Sequence, residues 1–76
     1  MKYYHTIIYL DMRRNEKVIE TMGTTELFDL MAKPYVKTLE IQSSAPRQNF
    51  RNALKQYNYK NKCHIDTRDV VLVSFL

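Results

Sequence analysis

Glycine, proline and cysteine are nearly missing from these 76 residues, which hold one glycine, two prolines and one cysteine, and there is no tryptophan. A single cysteine, Cys63, excludes an intramolecular disulfide. A lone thiol fits a reducing compartment, so a cytoplasmic setting is expected. With Gly23 the only glycine, no glycine-rich phosphate loop can form, and no linker of Gly, Pro or Ser divides the chain. Residues 1–76 are therefore expected to form a single domain with one modest core, because a chain this short buries only about 60% of its unfolded surface. Long apolar runs are absent too. The strongest, Val70-Val71-Leu72-Val73, falls far short of the ~20 residues that span a bilayer. The first residues lack the basic start, apolar run and cleavage site of a signal peptide. Neither a membrane protein nor an exported one is expected.

Groups for metal or covalent chemistry are equally sparse. His5, Cys63, His64 and scattered carboxylates do not make a ligand set at usable spacing. If residues 63–65 form a strand, Cys63 and His64 point to opposite faces, which leaves only His5, on another strand, to meet the thiol. No two carboxylates share a spacing that suggests acid–base work. The expectation is a protein that is not an enzyme and carries no metal or cofactor.

One further absence is informative. Between Ile41 and Ile65 there is no Asp or Glu, while Arg47, Arg51, Lys55, Lys60 and Lys62 all fall in that stretch. Residues 1–40 balance six basic against six acidic side chains, so the net charge of +4 is concentrated in one segment beside a neutral body. That distribution suits an anionic partner.

The remaining pattern is of short elements. Residues 3–12 alternate as a strand, and the face holding Tyr4, Thr6, Ile8, Leu10 and Met12 is expected to be core. A polar turn over residues 13–16 leads to residues 17–22, readable as an outer strand or as a short helix ending at Gly23. Thr24 or Thr25 can cap a helix with Glu26 and Asp29 near its positive end and Leu27, Leu30 and Met31 as its buried stripe; Pro34 stops it. Residues 35–42 read as a strand in which Leu39 and Ile41 share a face with Tyr35 and Lys37, opposite Val36.

Ser43-Ser44-Ala45-Pro46 is a helix-start signal. The helix is expected over residues 46–57, with Phe50, Ala53, Leu54 and Tyr57 as its apolar face. After a loop at 58–62, residues 63–65 suggest a short strand, 66–69 a turn, and 70–76 a β-prone strand apolar on both faces, expected centrally or against a partner and not at an exposed edge. The whole predicts an α+β fold of order β-(β)-α-β-α-(β)-β: a four- or five-stranded, mostly antiparallel or mixed sheet with two helices packed on one face.

On the 46–57 helix, taking Arg47 as the origin, Arg51 lies at about 40° and Lys55 at about 80°, with Gln48, Asn52 and Gln56 at about 100°, 140° and 180°. Cations neutralise phosphates and side-chain amides pair with adenine edges, so this face has the chemistry of nucleic-acid binding; an ordinary solvated helix face has the same composition. Tyr59, Lys60 and Lys62 extend it with an aromatic among cations, and Arg13 and Arg14 at the hairpin tip can grip a phosphate or a carboxylate.

In size, in lysine, asparagine and tyrosine content and in lacking a catalytic signature, the chain resembles accessory proteins of phages and mobile elements, a class that includes anti-CRISPR proteins and inhibitors of host enzymes. That resemblance implies one of two roles. The chain binds nucleic acid or a nucleoprotein complex through residues 41–65, or it inhibits a host enzyme or defence complex through a sheet edge or its tyrosine-rich first strand. An open edge also allows pairing with a second copy as a homodimer.

Overall fold

In the computed structural model, which describes residues 3–70 and 72–75, the chain opens with a hairpin of β1 (His5–Asp11) and β2 (Glu16–Met22). There follow α1 (Thr24–Met31), β3 (Val36–Ser43), α2 (Arg47–Asn61), a 3-10 turn (Thr67–Asp69) and β4 (Leu72–Phe75). The four strands form one mixed sheet in the order β2-β1-β3-β4, antiparallel except for the parallel pair β3/β4. The fold is α+β, with both helices on one face. This follows from connectivity: β2 runs parallel to β3, and β3 to β4, and parallel strands need a crossover, which α1 and then α2 supply. Residues 17–22 are thus strand and not helix.

The core lies between that face and the helices: Ile7, Tyr9 and Ile41 from the sheet, Leu27 and Phe28 from α1, Phe50 and Leu54 from α2. The covered face of β1 is therefore the one with His5, Ile7, Tyr9 and Asp11, the reverse of the sequence expectation. Tyr4 and Met12, expected inside, are 62% and 55% exposed. The reason is in the neighbouring strands. On the expected core face, Thr6 sits between Thr21 and Gln42, and Leu10 between Lys17 and Lys37. Burying that face means burying those polar partners. On the other face Ile7 is opposite Ile41, and Tyr9 is opposite Val18.

A bulge corrects a second expectation. Ile8 pairs with Glu40 but Tyr9 with Thr38, so Leu39 is an extra residue and the alternation of β3 reverses across it. Val36 consequently joins Ile41 on the helix side, packed against the core, while Lys37 is exposed on the other.

The helix starts differ in detail from the sequence reading. Gly23 is the N-cap of α1, and neither Thr24 nor Thr25 caps it; the Thr24 hydroxyl instead meets His5 Nε2 at 2.8 Å. Phe28, left out of the expected stripe, is one of the largest fully buried side chains. Pro46 caps α2 with no side-chain bond, because the two serines are engaged elsewhere: Ser43 Oγ accepts from Ala45 N–H and Ser44 Oγ from Tyr4 N–H. At its other end α2 runs one turn beyond Tyr57 to Asn61 and stops at Lys62, which takes a left-handed conformation with φ 54°.

Residues 63–65 form no strand. They are held as irregular chain by Asn58, whose amide donates to Ile65 C=O and accepts from Ile65 N–H at 2.9 and 3.0 Å. The last strand, expected centrally or against a partner, is not central: among the described residues it is an edge strand paired with β3 alone. The α2 crossover returns it parallel to β3, on the side of β3 that β1 leaves free. Val71 and Leu76 of that expected strand lie outside the described residues.

Candidate functional site

α2 carries no Asp or Glu, so its polar surface is cationic and amide by composition alone. Packing then sorts those side chains. Phe50 and Leu54 turn into the core, which leaves Arg47, Arg51 and Lys55 exposed along the flank facing β4. There they line a groove of about 620 Å³ with Arg68 of the 3-10 turn; Phe50, Leu54, Ile65, Val73 and Phe75 form its apolar part. The Arg47 guanidinium stands 5.4 Å from the centroid of the Phe75 ring, which itself meets Phe50 edge-on at 5.5 Å. Arg47, Arg51 and Lys55 make no ion pair among the described residues.

Asp66 is the only carboxylate among the described residues that line the groove, and Arg68 already holds it. Its Oδ1 accepts from Arg68 N–H at 2.8 Å and its Oδ2 from the Arg68 guanidinium at 2.7 Å. The backbone bond first and the guanidinium second keep the Asp66 carboxyl below the usual carboxylate range. Arg68 was not singled out from the sequence, where with Asp66 and Asp69 it makes a turn of net charge −1. The available signal was Asp66 as a cap, which folds Arg68 back toward α2.

The crown of α2 adjoins this flank. Gln48 Nε2 donates to Asn52 Oδ1 at 2.9 Å, one turn apart, and both residues are exposed. Tyr59, expected on a loop, stands on the last turns of the helix at 90% exposure. Lys60 is also helical but lies on the opposite flank, beside Thr25, Asp29 and Tyr57. Here α2 is fastened to α1: the Tyr57 hydroxyl donates to Asp29 Oδ1 at 2.5 Å, and that bond pushes the phenol up to about 12.

Three sequence candidates stand apart. Lys62 lines a different groove of about 660 Å³ with Met12, Lys37 and His64. Arg13 is a hairpin clamp, with its backbone and guanidinium on Asp11 and its guanidinium 3.4 Å from the Tyr35 ring centroid. Arg14, next to it, is exposed on the turn. The structure thus brings Arg47, Arg51 and Lys55 together with Gln48, Asn52 and Tyr59, and leaves Lys60, Lys62, Arg13 and Arg14 outside that cluster.

His5 and Cys63 do not form a nucleophile pair. Cys63 Sγ donates to Asn61 C=O at 3.5 Å, whereas His5 is 1% exposed and edge-on to Phe50 at 5.6 Å. Among the described residues no group of three or more His, Cys, Asp or Glu could hold a metal ion.

His5 Nδ1 is buried with no hydrogen-bond partner among the described residues. An unprotonated lone pair there costs little, but a proton would add a buried N–H and a charge without an acceptor. Desolvation accordingly lowers the His5 pKa from 6.5. The unfolded chain then takes up a proton near pH 6.5 that the fold refuses, so stability is fully present above that pH and declines below it. Urea unfolding midpoints should fall between pH 7.5 and 5.5 in the wild type and stay flatter in His5→Gln; equal slopes would rule the assignment out.

No family model, curated protein or solved structure matches this chain.

Proposed function

We propose that this protein is a non-enzymatic binding domain that engages nucleic acid, free or within a nucleoprotein complex, along the cationic flank of α2. One observation carries the reading: three α2 cations line a single groove in which Asp66, the only carboxylate among the described lining residues, is already paired with Arg68. Phosphates repel carboxylates and are attracted to clustered Arg and Lys, so a flank of this charge favours a polyanion over a neutral ligand. The setting we propose is the cytoplasm, in keeping with the free thiol of Cys63 and with the absence, among the described residues, of any helix long and apolar enough to cross a membrane.

The test is a salt titration of binding to a fluorescein-labelled oligonucleotide. Three phosphate contacts give a log–log slope of about −2.7 on duplex or −2.1 on a single strand, so duplex affinity should fall about 40-fold between 50 and 200 mM salt. Failure to bind oligonucleotides at 50 mM salt would sink the proposal.

A second reading has its own support. The sheet face away from the helices carries an apolar pair among polar neighbours, Ile8 beside an Ile19 that is 64% exposed, with Glu40 on the other side of Ile8. Such a surface suits docking on a host protein, as an inhibitor of anti-CRISPR type does, and the β2 and β4 edges suit pairing with a second copy. In that case partner capture depends only shallowly on salt.

A further inference from the structure

The exposed side of α2 is polar, and most of its long side chains fall into three rows. Gln48, Asn52, Lys55 and Tyr59 recur at i, i+4, i+7 and i+11, within about 60° of one another on the helix. Arg47 and Arg51 flank that row on one side, at about 0° and 40°, and Lys60 flanks it on the other at about 220°. We infer that α2 is a reading helix for double-stranded DNA, with the Gln48–Asn52 amide pair recognising an adenine edge in the major groove while Arg47 and Arg51 hold one groove wall and Lys60 the other. This rests on the nucleic-acid reading above.

Three features favour the duplex. A helix of about 10–12 Å diameter fits a B-form major groove about 12 Å wide, in which both walls are phosphate, so cations are needed on both sides of the reading row. A-form RNA has a major groove too narrow for side chains to read, which singles out DNA. A site for unpaired strands needs stacking platforms set in a concave groove. Gln48, Asn52 and Tyr59 lie outside the groove beside β4, and of the two tyrosines of α2 only Tyr59 is exposed, because Tyr57 is half-buried and bound to Asp29.

The amide pair supplies the recognition. Gln48 and Asn52 sit in the first two turns of α2, the end that meets base edges when a helix enters the groove, and the positive helix terminus there favours the phosphate backbone. The bond from Gln48 Nε2 uses one lone pair of Asn52 Oδ1 and fixes the plane of the Asn52 amide. Asn52 keeps its second lone pair and both N–H groups. Adenine presents N7 as acceptor and N6–H₂ as donor, and Asn52 can meet both at once, with its side chain already held in place.

Anisotropy titrations of labelled 20-base-pair duplexes at one salt concentration test this. The probes are an oligo(dA)·oligo(dT) duplex, an oligo(dG)·oligo(dC) duplex, the first duplex with 7-deazaadenine in place of adenine, and the oligo(dA) strand alone. Wild type should bind dA·dT about 10- to 100-fold more tightly than dG·dC. Removing N7 should erase that preference, and Asn52→Ala should lose it while keeping its melting temperature and its salt slope. A preference that survives both 7-deazaadenine and Asn52→Ala, equal binding to both duplexes, or tighter binding to the single strand overturns the inference, with general nucleic-acid binding left standing. No binding to any of the four probes overturns both.

Discussion

Changing Arg47, Arg51 and Lys55 together to glutamate is expected to lower nucleic-acid affinity by about 100-fold or more, since hydrogen bonds to charged groups contribute roughly 1.5–3 kcal/mol each and reversal adds repulsion. The salt slope should collapse with it, losing about 0.9 per contact on duplex. The fold should survive. All three side chains are exposed and none forms an ion pair among the described residues, so their removal orphans no partner. Arg47 packs near Phe75, and its loss there costs only the contribution of one exposed cation–π contact, about 0.5–1 kcal/mol. Circular dichroism and a cooperative melt establish that the variant is folded before binding is measured. If capture and affinity are unchanged, α2 is a solvated face, and the uncovered sheet face with Ile8 and Ile19 is where a partner docks. In that event Ile19→Lys should abolish capture, because it would replace the more exposed half of the Ile8–Ile19 apolar pair with a charge.

Phe50→Ala should unfold the protein or nearly so. Phe50 is 2% exposed and is the ring at which the two helices and the sheet meet, with edge contacts to His5, Phe28 and Phe75 at 5.5–5.6 Å. Removing a buried Phe side chain costs about 3–5 kcal/mol in lost transfer energy and residual cavity. A domain of 76 residues has roughly 4–11 kcal/mol in total, at 0.05–0.15 kcal/mol per residue. The melting midpoint should therefore fall by about 15 °C or more, if a cooperative transition remains at all. Phe50→Leu, which keeps most of the volume, should recover much of the loss. A Phe50→Ala variant that melts within a few degrees of wild type would show that the ring cluster is not the centre of the core. The same substitution should also damage the groove, because Phe50 lies under the flank that carries Arg47 and Arg51.

Periodicity in the chain was sufficient for β1, α1, β3 and α2 and for the apolar face of α2, where Phe50 and Leu54 are buried as their spacing requires, but it left residues 17–22 open between strand and helix and placed a strand at 63–65 where none forms. It also located the cationic face, because a helix without Asp or Glu has no local way to neutralise Arg47, Arg51 and Lys55. What it missed depends on neighbours in space. The inner face of β1 is chosen by the residues opposite it on β2 and β3, and a strand with apolar side chains on both faces does not record which face that will be. The reversal of β3 at Leu39 arises from one unpaired residue, which an alternating pattern cannot signal. The serines before α2 make a sound cap motif, yet Ser43 and Ser44 bond to Ala45 and Tyr4 because the end of β3 runs beside the start of β1.

For the candidate site the division is similar. Composition and helical spacing alone determined that a cationic flank and an amide row exist on one helix. Only the structure decided that Arg68 joins the flank, that α2 runs on far enough to carry Lys60 across the amide row, and that Arg13 is held by Asp11 and Tyr35. The physical reason is range: helical periodicity is set by bonds between residues four apart, whereas a site is set by side chains that the crossovers and sheet order bring together.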